Sequence, residues 1–150
     1  MSQGAPIIGE IRDEDVDAVT ALWVSAGVVR PWNDPVRDIA FARAASQATI
    51  LVAVIDHRPV ATVMVGHDGH RGWVYYLAVC PELQDQGLGR SMMAAAESWL
   101  EERGVWKLKL LVRADNSAVR GFYEGLAHLE TQSISFQKGL RGSPRADDAN

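Results

Sequence analysis

The sequence predicts an α/β fold, a mixed central β-sheet flanked by about four helices, on three observations. Short apolar runs alternate with segments whose apolar residues recur at helical spacing. One run, Trp73 to Cys80, is apolar on both faces, as expected for a strand inside a sheet. That run leads through a Gly-containing turn straight into a long amphipathic stretch. At 150 residues and 47% hydrophobic content the chain can bury one sizeable core and not two. One domain is therefore expected over residues 1–138, with 139–150 as a loose tail that lacks apolar residues to pack.

The elements follow in order. Ile7 to Arg12 is a short apolar strand, and Asp13 is placed to cap a helix whose first turn carries Glu14 and Asp15. Val16, Val19, Thr20, Trp23 and Ala26 keep helical spacing, and Gly27 can end the run. Asp34 as N-cap and Pro35 as first helical residue open a second helix reaching about Ser46. Thr49 to Ile55 and Val60 to His67 read as strands of a hairpin joined through Asp56-His57-Arg58-Pro59. The polar segment Asp68 to Gly72 separates them from the strand Trp73 to Cys80. Leu88, Met92, Ala95, Ala96, Trp99 and Leu100 form the next helical stripe, closed by Arg103-Gly104. Trp106 to Val112 is then a strand, Asn116 to Leu126 a helix, and Leu129 to Lys138 one or two final strands.

Several function classes are disfavoured by composition. A net charge of -4 argues against nucleic-acid binding, which needs clustered Lys and Arg. No apolar run approaches the roughly 18 to 20 residues of a membrane span. The start Met1 to Pro6 has no positive region followed by an apolar stretch, and the single cysteine, Cys80, has no internal disulfide partner; together these point to the cytoplasm. His57, His67, His70 and His128 show no ligand spacing with Cys80, so no metal is expected.

The turn Gln84-Asp85-Gln86-Gly87-Leu88-Gly89, with Arg90 behind it, carries the most chemistry. A buried strand that turns tightly into a helix leaves backbone N–H groups exposed at the positive end of the helix dipole, where an anion binds. Gly87 and Gly89 let a bulky diphosphate approach the backbone, and Gln84 either contacts it or braces the turn. A P-loop would need Lys and then Ser or Thr after the second Gly, where this chain has Arg90-Ser91. The dinucleotide fingerprint fails too, because Met92 stands in place of its third Gly. Taken alone, the two glycines could also serve only a tight turn.

The pattern Gln-x-x-Gly-x-Gly is followed downstream by Asn116 and then by Tyr123-Glu124. Together, Val79 to Gly89 and Asn116 to Glu124 resemble the GNAT superfamily of N-acetyltransferases, and the element order agrees over about residues 7 to 138. Arg30 to Pro35 and Gly66 to Gly72 further resemble a YpeA-like bacterial subgroup. The chain departs from the family pattern at Ala127, where many members have Gly, and at His128, where an aromatic is usual; Gly125 is the alternative left-handed helix cap.

The resemblance implies the GNAT acyl-CoA N-acyltransferase fold and transfer of an acetyl group from acetyl-CoA to a primary amine, in a ternary complex and without metal. It also implies that backbone groups of Leu77, Ala78 and Val79 line the acetyl and pantetheine slot, with an amide of Leu77 or Val79 facing the oxyanion. Gln84, Asp85, Gln86, Gly87, Leu88, Gly89 and Arg90 would hold the pyrophosphate. Asn116 would contact the CoA arm, and a plain helix-cap role is compatible with that. Tyr123 would protonate the departing thiolate, against the alternative of a tyrosine that only packs its helix.

No spacing marks the general base; Asp34, Asp68, His70, Tyr75 and Tyr76 are the candidates, and Trp32 either walls the acceptor pocket or belongs to the core. Cys80 lacks a neighbouring His to activate it, which favours direct transfer over an acetyl-enzyme. An acyl-CoA-binding regulatory module without transfer activity is the competing reading. Exposed strand edges make a homodimer the expected assembly, if one forms.

Overall fold

The structure, a computed structural model, describes residues 4–142 and divides into two compact units, one ending at Leu110 and the other beginning at Leu111. Residues 143–150 of the expected tail lie outside the described residues.

The first unit holds β1 (Ile7–Glu10), α1 (Val16–Ser25), α2 (Pro35–Ala44), β2 (Ala48–Ile55), β3 (Arg58–His67), β4 (Gly72–Val79), α3 (Leu88–Glu101) and β5 (Leu108–Lys109). The sheet order is β1-β2-β3-β4-β5, with β1 to β4 antiparallel and β5 parallel to β4. The mixed α/β sheet expected from the alternating apolar runs is thus observed. Two-residue turns suit antiparallel neighbours, and Asp56 and His57, both at positive φ (50° and 65°), make such a turn between β2 and β3. It is tighter than the four-residue connection expected, since Arg58 and Pro59 already pair within the sheet.

Alternation along β2 and β3 sends apolar side chains to both faces. Ile50, Val52, Val19, Trp23, Ile39, Ala42 and Ala78 form one buried cluster beneath α1 and α2. The strand residues between them, Leu51, Ala53, Ala61, Val63 and Val65, are also buried, and α3 packs on β3 and β4 through Leu88, Met92, Met93, Ala96 and Leu100. Gly72 is required by that packing, because a Cβ there would lie 2.5 Å from Leu100 Cδ1.

Helix ends follow local chemistry. Asp34 accepts from the Arg37 amide at 3.2 Å, as expected of an N-cap before Pro35. Asp13 does not cap α1. Asp13 opens a 3-10 turn (Asp13–Asp15) that leads into α1 and is capped by Arg12, whose amide donates to Asp15 at 3.0 Å while the Asp15 amide returns a bond to the Arg12 carbonyl; the N-cap position of α1 itself is Asp15. Asp13 instead pairs with Arg43 at 2.6 Å. The buried Asp15 carboxylate has a partner at the chain entry and Asp13 stays in solvent, which decides the register of the turn.

The second unit contains α4 (Ser117–Gly125). No strand forms among its described residues, so the strands expected over Leu129 to Lys138 are absent, and β5 is two residues long against the seven of Trp106 to Val112. Ile134 and Phe136 do alternate with polar neighbours, but a strand needs a ladder, and none includes them.

Candidate active site

Both the outer edge of β4 and the turn after it lie in the first unit, and the pairing pattern defines them. The register between β3 and β4 shifts between Thr62 and Met64, which pair with Ala78 and Tyr75, so β4 carries one extra residue there. Tyr76 sits in this bulge at φ 51°. Its ring stacks on Trp23 with centroids 3.8 Å apart, and its hydroxyl donates to Asp38 Oδ2 at 2.6 Å.

Beyond the bulge the ladder resumes. The Cys80 amide donates to the Val60 carbonyl at 2.8 Å, which makes Val60–Cys80 and Thr62–Ala78 the hydrogen-bonded pairs. Leu77 and Val79, alternating with them, turn their N–H and C=O groups to the opposite edge of β4. β5 pairs with that edge only at Gly72 and Trp73, and among the described residues no strand pairs with it further on. The Val79 carbonyl receives the Gln84 side-chain amide at 3.1 Å, so Gln84 braces the turn. The amides of Leu77 and Val79 face outward. Ala78 differs from its neighbours: its backbone serves the β3 ladder and its side chain the core.

The edge runs into a 3-10 turn (Pro81–Leu83) and then the loop Gln84-Asp85-Gln86-Gly87. Asp85 and Gly87 both adopt positive φ, 63° and 88°, and bend the chain sharply into α3. Gly87 is the N-cap residue, has no side chain to satisfy the first amides, and leaves open space where a Cβ would stand. Helix geometry leaves the amides of Leu88, Gly89 and Arg90 without intrahelical partners; the ladder starts at Ser91, whose amide reaches the Gly87 carbonyl at 3.1 Å. Uncapped amides at a helix start attract an anion.

The base candidates are differently occupied. Asp34 is engaged as the α2 cap. Asp68 accepts from the Arg71 amide at 2.7 Å, the Trp73 indole at 3.2 Å and the His70 amide at 2.9 Å, and these bonds hold its pKa below the ordinary carboxylate value. Burial, and then the bond to Asp38, push the Tyr76 hydroxyl well above an ordinary tyrosine. Tyr75 is raised by burial and by the Asp68 charge. Asp38, unmarked by spacing in the sequence, is the carboxylate that reaches this region. Trp32 is half-buried and stands outside the core cluster. Cys80 is buried, and burial with a bond to Glu82 raises its thiol, the reverse of what a thiolate nucleophile needs.

In the second unit Asn116 caps α4, its side chain accepting from the Val119 amide at 3.2 Å. Tyr123 is half-buried between Phe122 and His128, with centroids 5.0 and 5.5 Å away, and burial lifts its hydroxyl pKa to about 12. The helix ends in a left-handed turn, with the His128 amide bonded to the Tyr123 carbonyl and the Ala127 amide to the Glu124 carbonyl. The left-handed residue is Ala127, at φ 67°, and not Gly125, which stays helical. The carbonyl pattern puts the cap two residues past the end of the helix, where alanine must take the conformation that glycine usually supplies.

A bulged strand whose outer edge is unpaired past Trp73 leads into an uncapped helix start, a geometry suited to an elongated ligand that carries an anion. The family model for the acetyltransferase (GNAT) family matches residues 12–127, and the chain belongs to that family. It is an acetyl-CoA-dependent acetyltransferase. It is 40% identical over 129 residues to an acetyltransferase of Pectobacterium atrosepticum, covering 86% of this chain and 92% of that one. Among solved structures, the ribosomal-protein-S18-alanine N-acetyltransferase of Escherichia coli is similar at TM-score 0.75 and 24% identity, over 93% of this chain and 87% of that one. The aminoglycoside acetyltransferase AAC(6')-Iy, in complex with a bisubstrate analogue, gives TM-score 0.78 at 13% identity, over 91% and 99% of the two chains. At these identities the two structures show a shared fold. Among the described residues, no helix is long and apolar enough to cross a membrane, and no three His, Cys, Asp or Glu residues are grouped to hold a metal ion.

Proposed function

We propose that this chain transfers an acetyl group from acetyl-CoA directly to a primary amine, of a small molecule or of a peptide or protein, with residues 1–138 working as one domain. The observation that carries this is the outer edge of β4 beyond Trp73, where the Leu77 and Val79 amides lead into the uncapped start of α3. Leu77 donates to the thioester oxygen and, more strongly, to the oxyanion that forms from it. The loop Gln84 to Gly87 and the amides of Leu88, Gly89 and Arg90 hold the pyrophosphate, while Gln84 keeps the loop attached to the strand. Asn116 supports the CoA arm and Tyr123 returns a proton to the departing sulfur. The depressed acidity of the buried Cys80 supports direct transfer over a covalent acetyl-enzyme. The reaction belongs in the cytoplasm, and β1, exposed along its length, is the edge offered to a second copy.

Thermal denaturation with acetyl-CoA tests the donor assignment: a ligand at about 100 times its Kd adds roughly 2.7 kcal/mol and raises the midpoint. Mass spectrometry across a panel of amines and peptides tests the acceptor, with CoA thiol released only when an amine is present. No shift with millimolar acetyl-CoA or other acyl-CoAs would refute the assignment, and thiol release without any amine would refute direct transfer to one.

A further inference from the structure

The bulge in β4 is held by a chain of bonds whose polarity can be read without ambiguity. Trp23 Nε1 lies 2.8 Å from Thr62 Oγ1, and Thr62 Oγ1 lies 2.9 Å from the Tyr76 carbonyl oxygen. An indole can only donate. Thr62 therefore accepts from Trp23, and its single hydroxyl proton is directed to Tyr76. Thr62 is fully buried, at 0% exposure, so water does not compete for either bond.

The Tyr76 carbonyl shares a planar trans peptide with the Leu77 amide, and in such a peptide C=O and N–H point in opposite directions. Drawing the carbonyl toward β3 turns the Leu77 N–H toward the open edge. The Tyr76 side chain is fixed at the same time, by its stack on Trp23 and its bond to Asp38. A left-handed φ of 51° at a tyrosine is disfavoured, so the bulge needs such restraints to persist.

We propose that Thr62, directed by Trp23, is a positioning residue for acetyl transfer: its hydroxyl sets the orientation of the Tyr76–Leu77 peptide and so aims the Leu77 amide at the developing oxyanion. This rests on the proposed role of Leu77. Thr62 touches neither donor nor acceptor and acts through one peptide plane. The remaining donor contacts, at the start of α3, do not depend on it.

Wild-type protein is first assayed for acetyl-CoA stabilisation and for turnover of an amine found in the panel; failure there would sink the donor reading and this proposal with it, whereas the variants below test this proposal alone. Given both, Thr62→Val, which keeps the side-chain shape and removes the hydroxyl, is expected to lower kcat by about 10- to 100-fold, less than the roughly 100- to 1000-fold for outright removal of an oxyanion donor because the Leu77 amide is misaimed and not lost. The KM for acetyl-CoA and its thermal shift should change by less than about two-fold. Thr62→Ser, which restores the hydroxyl, is expected to recover kcat to within about three-fold of wild type. Trp23→Phe keeps the ring stack but frees the hydroxyl to rotate; it should lower kcat by about 3- to 10-fold with KM unchanged, and it decides the matter if Thr62→Val does not fold. The proposal is overturned if Thr62→Val or Trp23→Phe keeps kcat within two-fold, if kcat and donor binding fall in parallel, or if Ser fails to rescue.

Discussion

Tyr123 shows how one side chain can be suited to a proton transfer by its surroundings. Burial raises its pKa to about 12, so it keeps its proton beyond ~10, where an ordinary tyrosine ionises. If Tyr123 protonates the leaving thiolate, kcat plotted against pH should show no fall near ~10, and Tyr123→Phe should lower kcat by about 100-fold with a much smaller effect on acetyl-CoA affinity. A falling limb near ~10 that vanishes in Tyr123→Phe would show that the hydroxyl ionises like an ordinary tyrosine and is not raised by burial, whereas equal losses in kcat and affinity would demote it to a binding residue. Single residues differ in how far sequence exposes them. Asp34 and Asn116 are legible as caps because a cap acts within three positions. Thr62 is not, since its partners Trp23 and Tyr76 lie 39 and 14 positions away; the only hint is one hydroxyl inside the apolar run Val60 to Val65. Asp38 is hidden in the same way, in the first turn of a helix and 38 positions from the hydroxyl it binds.

At the level of elements, the end of α4 carries local strain that substitution can relieve. A left-handed backbone at alanine costs about 1–2 kcal/mol, and glycine adopts it freely at some entropic cost, so Ala127→Gly should stabilise by roughly 1 kcal/mol. A higher midpoint in thermal or denaturant unfolding is the expected result; a lower one would mean that Ala127 is not left-handed in solution. The position of this cap escapes the sequence because a nearby glycine, Gly125, draws the prediction two residues early, while the deciding carbonyl bonds belong to the backbone. The faces of α1 and α3 are legible from helical period, α2 from its cap and proline, and β2 to β4 from short apolar runs bounded by turns. The bulge at Tyr76 is not, for an extra residue in one strand leaves no mark on an all-apolar run.

For the molecule as a whole, the close seat of α3 on the sheet turns on a missing side chain. A Cβ at Gly72 would meet three side-chain atoms of Leu100, itself only 2% exposed, so the leucine would have to shift within a packed core. Gly72→Ala should cost about 1–3 kcal/mol through overpacking, seen as a lower unfolding midpoint, and Leu100→Ala combined with it should recover part of the loss of the tight contact. A midpoint unchanged in Gly72→Ala would show that helix and sheet are less closely packed. The mixed sheet follows from the order of runs along the chain, yet the sequence overstates β5, since length of an apolar run does not tell how much of it finds a ladder.

That short β5 leaves the outer edge of β4 open past Trp73. A peptide joining a sheet must both give and receive bonds in alternation, and here the Val79 carbonyl is already taken by Gln84. What is left past Trp73 is an edge richer in donors than in acceptors, a poor template for another strand and a good one for a chain studded with carbonyl oxygens. One glutamine thus makes the opening a poorer mate for a neighbouring polypeptide strand.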